Sequence, residues 1–354
     1  MIYNFNAGPS IVPAEVLKEA SKAIINFNNS GLSILEIGHR TSLFQVVMDE
    51  ARALVKELMN LDDDHEVLFL HGGATIQFMQ IPMNLLDNGE KAAIADTGVW
   101  STKAIKEASL FGNVDVVCSS KDKNYSYIPK DFIVDPDSKY LHITTNNTIF
   151  GTQWKQMPEA GVPLIADMSS DILSRQLDFN SFDLIYAGAQ KNMGIAGTNL
   201  VVINKNILGK IKRPIPAIMD YSNHIEQQSM LNTPPVFAVY VSMLTLRWLK
   251  EKGGVAAMEK LNQEKAALLY QVIDESSIYK GTVAKEDRSN MNICFVMENE
   301  ALEKKFMEHT KELSVYGIKG HRLSGGFRIS VYNALPYSSV EYIADIMRKF
   351  EKTV

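Results

Sequence analysis

Between residues 66 and 203 the chain alternates short apolar runs with segments long enough to be helices, and this alternation constrains the fold most. The runs are Glu66–Leu70, Lys91–Ala95, Val114–Cys118, Tyr140–Thr144, Pro163–Ala166, Asp183–Tyr186 and Leu200–Ile203. Their length and β-branched content fit strands covered on both faces. The segment just before the first run, "TSLFQVVMDEARALVKELMN", opens on a Thr41/Ser42 cap. It places Phe44, Val47, Ala51, Leu54, Val55 and Leu58 at helical spacing. Another, "VWSTKAIKEASLFG", closes at Gly112, a usual helix stop. The expected fold is α/β: a large domain with a mainly parallel seven-stranded sheet flanked by helices. The short link before Leu200–Ile203 predicts one antiparallel member.

After Asn204 the pattern changes. Two long helices, Val236–Lys252 and Gly254–Ser277, are broken at Gly253-Gly254. A small C-terminal α+β domain follows: strand Asn292–Met297, helix Glu300–Leu313, strand Gly326–Tyr332 and helix Ser338–Glu351. The expected division is a large domain over 14–250 and a small domain over 1–13 and 251–354.

Composition limits the function. Lys+Arg 36 against Asp+Glu 41 leaves a net charge of −5, which argues against nucleic acid or an anionic membrane as partner. The apolar helix Val236–Leu249 is too short and polar to span a bilayer. The start "MIYNFNAGPS" has neither a basic flank nor an apolar signal core. A cytoplasmic protein is expected. Cys118 and Cys294 read as buried, reduced thiols. His65, His71, His142, His224 and His309 show no metal-ligand spacing, so no metal is expected. "DDDH" at 62–65 reads as a solvated loop.

In parallel α/β sheets ligands bind beyond the C-terminal strand ends. Those ends carry His71-Gly72-Gly73-Ala74-Thr75, Asp96-Thr97-Gly98-Val99-Trp100, Asn146-Asn147-Thr148, Asp167-Met168-Ser169-Ser170 and Gly188-Ala189-Gln190-Lys191. Each has a plain reading alone: a turn for Gly72-Gly73, a helix cap for Asp167, core for Trp100, a solvated lysine for Lys191. "HGGAT" is neither a P-loop nor a dinucleotide fingerprint. Together they supply an amine nucleophile, a carboxylate at a neighbouring strand end, an aromatic plate and an anion nest at a helix start. That set matches pyridoxal 5'-phosphate: the lysine forms a Schiff base, the aspartate keeps the ring nitrogen protonated, the indole stacks, and the nest takes the phosphate.

At these residues the chain resembles the phosphoserine aminotransferases, among the fold-type-I pyridoxal-phosphate enzymes and the class-V aminotransferases. The resemblance runs through "FNAGPS" (5–10), "EIGHRTS" (36–42), "HGGATIQF" (71–78), "TGVWS" (97–101), "NNTIFG" (146–151), "ADMSSD" (166–171), "GAQKNMG" (188–194), "NTPP" (232–235) and "GHRLSGGFRISVYNA" (320–334). It implies Lys191 as the Schiff-base lysine, Asp167 as the ring-nitrogen partner and Trp100 as the stacking residue. Thr148 and Gln190 would bond the cofactor, and Ala74 and Thr75 would form the phosphate nest. Asn232 and Thr233 would reach the phosphate from the second subunit of a homodimer with composite active sites. Thr75 departs from relatives that carry arginine there, and Gly38 from relatives with serine.

The resemblance also implies a substrate set. Arg328 would clamp the α-carboxylate. His39 and Arg40, with His321 and Arg322 from the partner chain, would bind the phosphate of phosphoserine or the distal carboxylate of glutamate, since guanidinium groups match both anions. The implied reaction moves an amino group between glutamate and 3-phosphonooxypyruvate, giving O-phospho-L-serine and 2-oxoglutarate, with Lys191 moving the proton. Competing readings are a cysteine desulfurase or alanine–glyoxylate type transaminase on the same fold, and a catalytically silent dimeric binding protein. A desulfurase needs a mobile nucleophilic cysteine, and Cys294 lies in an expected buried strand.

Overall fold

The computed structural model describes residues 2–354. In chain order the elements are β1 (Tyr3–Asn4), α1 (Ala14–Ile25), α2 (Ser42–Met59), β2 (His65–His71), α3 (Gln77–Leu85), β3 (Lys91–Asp96), α4 (Val99–Ala108), β4 (Asn113–Ser119), β5 (Leu141–Thr144), β6 (Leu164–Asp167), β7 (Leu184–Gly188) and β8 (Thr198–Asn204). Then come α5 (Tyr221–Glu226), α6 (Val236–Glu251), α7 (Gly254–Glu275), β9 (Tyr279–Gly281), β10 (Asn292–Met297), α8 (Glu300–Glu312), β11 (Val315–Tyr316), β12 (Phe327–Ser330) and α9 (Tyr337–Glu351).

The seven-stranded sheet has the order β2-β8-β7-β6-β5-β3-β4. Pairings from β4 through to β7 are parallel, and β8 runs antiparallel to both β7 and β2. Every residue of β5, β6 and β7 is buried, as strands with helices on both faces must be. On one face the apolar stripe of α2, including Phe44, Val47, Ala51 and Val55, joins Val239, Met243 and Leu246 of α6 in a single core.

A second core holds Phe5, Leu269, Ile273, Phe295, Phe306, Ile329, Ile343 and Phe350. It packs on the sheet β12-β10-β9, and β1 pairs with β11 beside it. Helix α7 contributes Met258 to the first core and Leu269 to the second, so one rigid element spans both. The break before α7 is set by backbone: Gly253 and Gly254 both have positive φ, +97° and +71°, a region glycine enters without steric cost.

Four local expectations need correction. Helix α4 ends at Ala108, and Gly112 instead lies against Leu86 and the Glu90 carbonyl, where a Cβ would come within 2.8 Å. Thr41 occupies the cap position of α2, but its hydroxyl donates to the Gly38 carbonyl at 2.7 Å rather than capping the helix. His65 is no loop residue: it is buried in β2, with Nδ1 2.7 Å from Asp62 Oδ1 and Nε2 2.9 Å from the Phe182 carbonyl. Cys118 is only half-buried, because β4 is a sheet edge.

Candidate active site

Each strand end delivers one part of the site. Past β3, the Thr97 and Gly98 N–H groups bond Ser101 Oγ at 3.0 Å and start α4, which carries Trp100. β5 leads through Thr144 to Asn146 and Thr148, β6 ends at Asp167, and β7 leads to Gln190 and Lys191. Past β2, Gly72 takes φ +83° and the chain makes a tight turn, Ala74–Ile76, before α3. A cavity is lined by Ala74, Thr75, Trp100, Thr144, Asn146, Asp167, Ser169, Ser170, Gln190 and Lys191.

Within it, Lys191 Nζ donates to Thr148 Oγ1 at 2.9 Å and lies 5.7 Å from the Trp100 ring centroid. The lysine side chain is half-buried and lines the cavity. Burial pulls its pKa down to about 8; the Asp167 carboxylate works against that and the Arg328 guanidinium adds to it. Asp167 is 5% exposed, and burial pushes its carboxyl above the usual range, while the Ser169 N–H, 2.9 Å from Oδ1, and Lys191 pull it back. Arg328 donates to the Thr148 carbonyl at 3.3 Å.

Several groups are left without partners. Trp100 Nε1, Thr144 Oγ1 and Arg328 Nε are buried with none. The N–H groups of Gly73, Ala74 and Thr75 at the start of the tight turn have no acceptor among the described residues. Trp100 and Thr144 line the cavity with buried unpaired groups, and the half-buried Gly73 and Ala74 and exposed Thr75 add open N–H donors at its rim, which marks a place for a polar ligand.

Thr148 and Arg328 stand beside this lining, and the remaining candidates also lie outside it. His39 is half-buried with Nε2 unpartnered, and Arg40 is exposed; both sit in the turn before α2. Asn232 is half-buried, and the carbonyl of exposed Thr233 is 2.5 Å from His71 Nε2. His321 accepts from the Leu323 N–H at 3.2 Å beside exposed Arg322. Burial disfavours a proton on His321, and so do Arg328, Arg322 and Lys103 of the same chain. Among the described residues no carboxylate pairs with Arg40, Arg322 or Arg328.

Sequence reasoning missed the lid over the lysine. Ser10 N–H donates to the Gln190 carbonyl at 2.9 Å, and Ser10 Oγ donates to the Lys191 carbonyl. Gly8, at φ +149°, lies so close that a Cβ would stand 3.3 Å from Lys191 Cγ. The glycines around Lys191 are required by packing. A Cβ on Gly188 would strike Gln190 Oε1 at 2.7 Å, and one on Gly194 would strike Ser242 Oγ at 2.7 Å. They let the loop pack on itself and on α6.

A larger cleft lies between Ile128–Phe132, Trp154–Pro158 and Glu286–Asp287. Its lysines are engaged: exposed Lys130 pairs with Asp287 at 3.3 Å, and Lys155, whose pKa burial also pulls down to about 8, donates to Gln153 at 3.0 Å, so neither amine is free. Both cysteines are poor nucleophiles: burial drives each thiol up to about 12, and Cys294 is fixed in β10.

The family model for class-V aminotransferases matches residues 2–343. The chain belongs to that family. It is 54% identical over 353 residues to a phosphoserine aminotransferase of Flavobacterium johnsoniae, covering 99% of each. A phosphoserine aminotransferase structure from Bacillus circulans subsp. alkalophilus superposes with a TM-score of 0.97 at 41% identity, over 100% of this chain and 99% of that one. A PLP-bound phosphoserine aminotransferase from Trichomonas vaginalis gives 0.93 at 34% identity, over 98% and 100%. This class-V aminotransferase is therefore an enzyme that makes phosphoserine by transamination and works with pyridoxal phosphate.

The residues present fit that cofactor. The Gly73, Ala74 and Thr75 N–H groups have no acceptor among the described residues and could take a phosphate, and Asp167 is a buried carboxylate, only partly stabilised by its neighbours, that could meet a protonated ring nitrogen. Thr75 adds a hydroxyl and no charge, so a phosphate held there would rely on backbone dipoles.

Proposed function

We infer that the cavity around Lys191 carries amino transfer between glutamate and 3-phosphonooxypyruvate. The observation that carries this reading is the Lys191 amine, bonded to Thr148 between Asp167 and the Trp100 ring, with its pKa lowered to about 8. When bound, pyridoxal phosphate supplies an aldehyde for the amino group and a ring that acidifies the substrate Cα–H. Asp167 holds positive charge at the ring nitrogen, and Trp100 covers one ring face. Gly73, Ala74 and Thr75 N–H groups hold the phosphate, and Gln190 and Thr148 orient the ring.

Lys191 Nζ removes the proton from the substrate Cα, and a lowered pKa suits it to that work near neutral pH. Arg328 binds the α-carboxylate. His39, Arg40, His321 and Arg322 receive either the phosphate or the distal carboxylate of glutamate, which lets one site serve both halves of a ping-pong cycle. Asn232 and Thr233 extend to the phosphate of a second copy, making a cytoplasmic homodimer with shared sites. Residues 14–250 act as the cofactor-binding domain, and 1–13 with 251–354 as the small domain. Among the described residues no helix is long and apolar enough to cross a membrane.

The test mixes purified protein with phosphoserine and 2-oxoglutarate and measures glutamate. No glutamate, where an unphosphorylated donor such as alanine gives it readily, defeats the substrate assignment. Borohydride reduction and peptide mapping locate the reactive lysine; a label anywhere but Lys191 defeats the site.

A further inference from the structure

The residue next to Lys191 ties together segments that meet only in the folded chain. Asn192 is 8% exposed. Its Nδ2 donates to the Ile172 carbonyl at 2.9 Å, and its Oδ1 accepts from the Asn333 N–H at 2.9 Å. Asn333, 3% exposed, donates from Nδ2 to the Leu173 carbonyl at 2.9 Å and accepts from Asn262 Nδ2 at 2.8 Å. Asn262 of α7, 1% exposed, also donates to the Ser174 carbonyl at 3.0 Å. Leu173 stands at φ +54°, a costly conformation for a side chain of its kind, and its carbonyl is held by Asn333.

Each strand of this knot runs straight to a group the reaction uses. Ile172 and Leu173 follow Asp167 at the end of β6, Asn333 follows Arg328 on β12, and Asn192 follows Lys191. A carboxamide presents a donor and an acceptor side by side, so one short side chain can bridge a carbonyl and an N–H. No hydrocarbon does this, and a carboxylate loses the donor. Because the knot is buried, water cannot replace a lost bond, and each unpaired group is costly.

We propose that Asn192 is a positioning residue that fixes the Lys191 amine relative to Arg328 and Asp167. The carboxylate clamp sits on the strand of the small sheet and the amine on a loop of the large one, and Asn192 is the direct bond between their segments. This rests on the reading that Lys191 moves the Cα proton.

The test compares holoenzyme carrying Asn192→Ala with His65→Ala. His65 is as deeply buried and hydrogen-bonded but lies at the opposite end of β2 from the site. Three quantities are read: melting temperature, the α-deuterium isotope effect on the half-reaction with glutamate, and the pH midpoint of the bound cofactor's absorbance. Misplacing the amine should slow the Asn192→Ala half-reaction by about tenfold to a hundredfold and raise its isotope effect. It should also move the absorbance midpoint, while His65→Ala changes melting alone. A wild-type isotope effect and midpoint in Asn192→Ala, or the same changes in His65→Ala, overturns the proposal. If Asn192→Ala does not fold, Asn192→Ser, which can still accept from Asn333, is read by the same criteria. Borohydride labelling of every protein separates the two failures: label off Lys191 defeats the reading of the site, whereas label on Lys191 with unchanged kinetics defeats the role of Asn192.

Discussion

Lys191 and Thr148 share a hydrogen bond, amine to hydroxyl at 2.9 Å, and the carbonyl of the same threonine accepts from Arg328 at 3.3 Å. One residue therefore touches the proposed proton carrier with its side chain and the proposed carboxylate clamp with its backbone. The two contacts can be separated by mutation.

Thr148→Val keeps the shape and the carbonyl but removes the hydroxyl. Losing one net hydrogen bond should lower turnover by about three- to tenfold and weaken cofactor retention. The KM for glutamate should stay within about twofold, because Arg328 keeps its backbone partner. Steady-state kinetics decide this; a KM that rises as steeply as turnover falls would show that the side chain also supports the clamp.

Burial also gives the apoprotein a pH signature. Lys191 is drawn down to about 8 and fully buried Lys265, donating to the Tyr332 carbonyl at 2.8 Å, to about 7. An unfolded lysine keeps its proton to about 10.4. Between the folded and unfolded values the unfolded state binds more protons, so stability rises with pH. Urea unfolding of apoprotein should show stability increasing from about pH 7 toward pH 9.5, with a shallower rise in Lys191→Met. A flat profile, or an identical slope in the variant, contradicts the burial argument.

Asp167 sets function against stability. Its carboxyl is raised by burial, so the folded state holds that proton more tightly and stability falls as pH climbs through the window above the ordinary aspartate value. Asp167→Asn removes the buried charge and keeps an acceptor for Ser169. The apoprotein should melt higher, while turnover falls by about 10²–10³-fold as charge stabilisation at the ring nitrogen is lost. Calorimetry of the apoprotein beside turnover of the loaded enzyme checks both; a lower apoprotein melting point would mean that Asp167 has found a stabilising partner.

What was legible in the sequence follows from where chemistry forces residue types. Lys191, Asp167 and Trp100 follow neighbouring strands; each has a plain reading alone, but the amine, carboxylate and indole together have few, and the alternation of runs predicted the sheet that gathers them. Asn146, Ser169 and Ser170 stood in the strand-end segments expected to meet at the crevice and do line the cavity, whereas Thr144 was hidden because it reads as the last residue of its strand. Ser10 and Gly8 were hidden because they reach Lys191 from the far end of the chain. Strand β9 is three residues long with two exposed, too little pattern to read. The half-burial of Cys118 depends on β4 being the sheet edge, and alternation does not reveal strand order.

Arg328 and His321 should separate the two anions of the substrate. Arg328 has a buried, unpartnered Nε and, among the described residues, no carboxylate within salt-bridge range, so a ligand carboxylate would meet an unneutralised guanidinium. His321 has its proton disfavoured by burial and by Arg328, Arg322 and Lys103, an environment that a dianionic phosphate would reverse. Arg328→Ala should therefore depress kcat/KM with glutamate and phosphoserine alike, by about a hundredfold, as loss of a charge-assisted bond to a buried anion implies. His321→Ala should cost about tenfold with phosphoserine and much less with glutamate, whose single distal charge gains less from a protonated imidazole. The phosphoserine penalty should also shrink as pH rises, because wild-type His321 then loses the proton that distinguishes it from alanine. Matched losses for both donors in both variants would mean that a single shared cluster binds both anions.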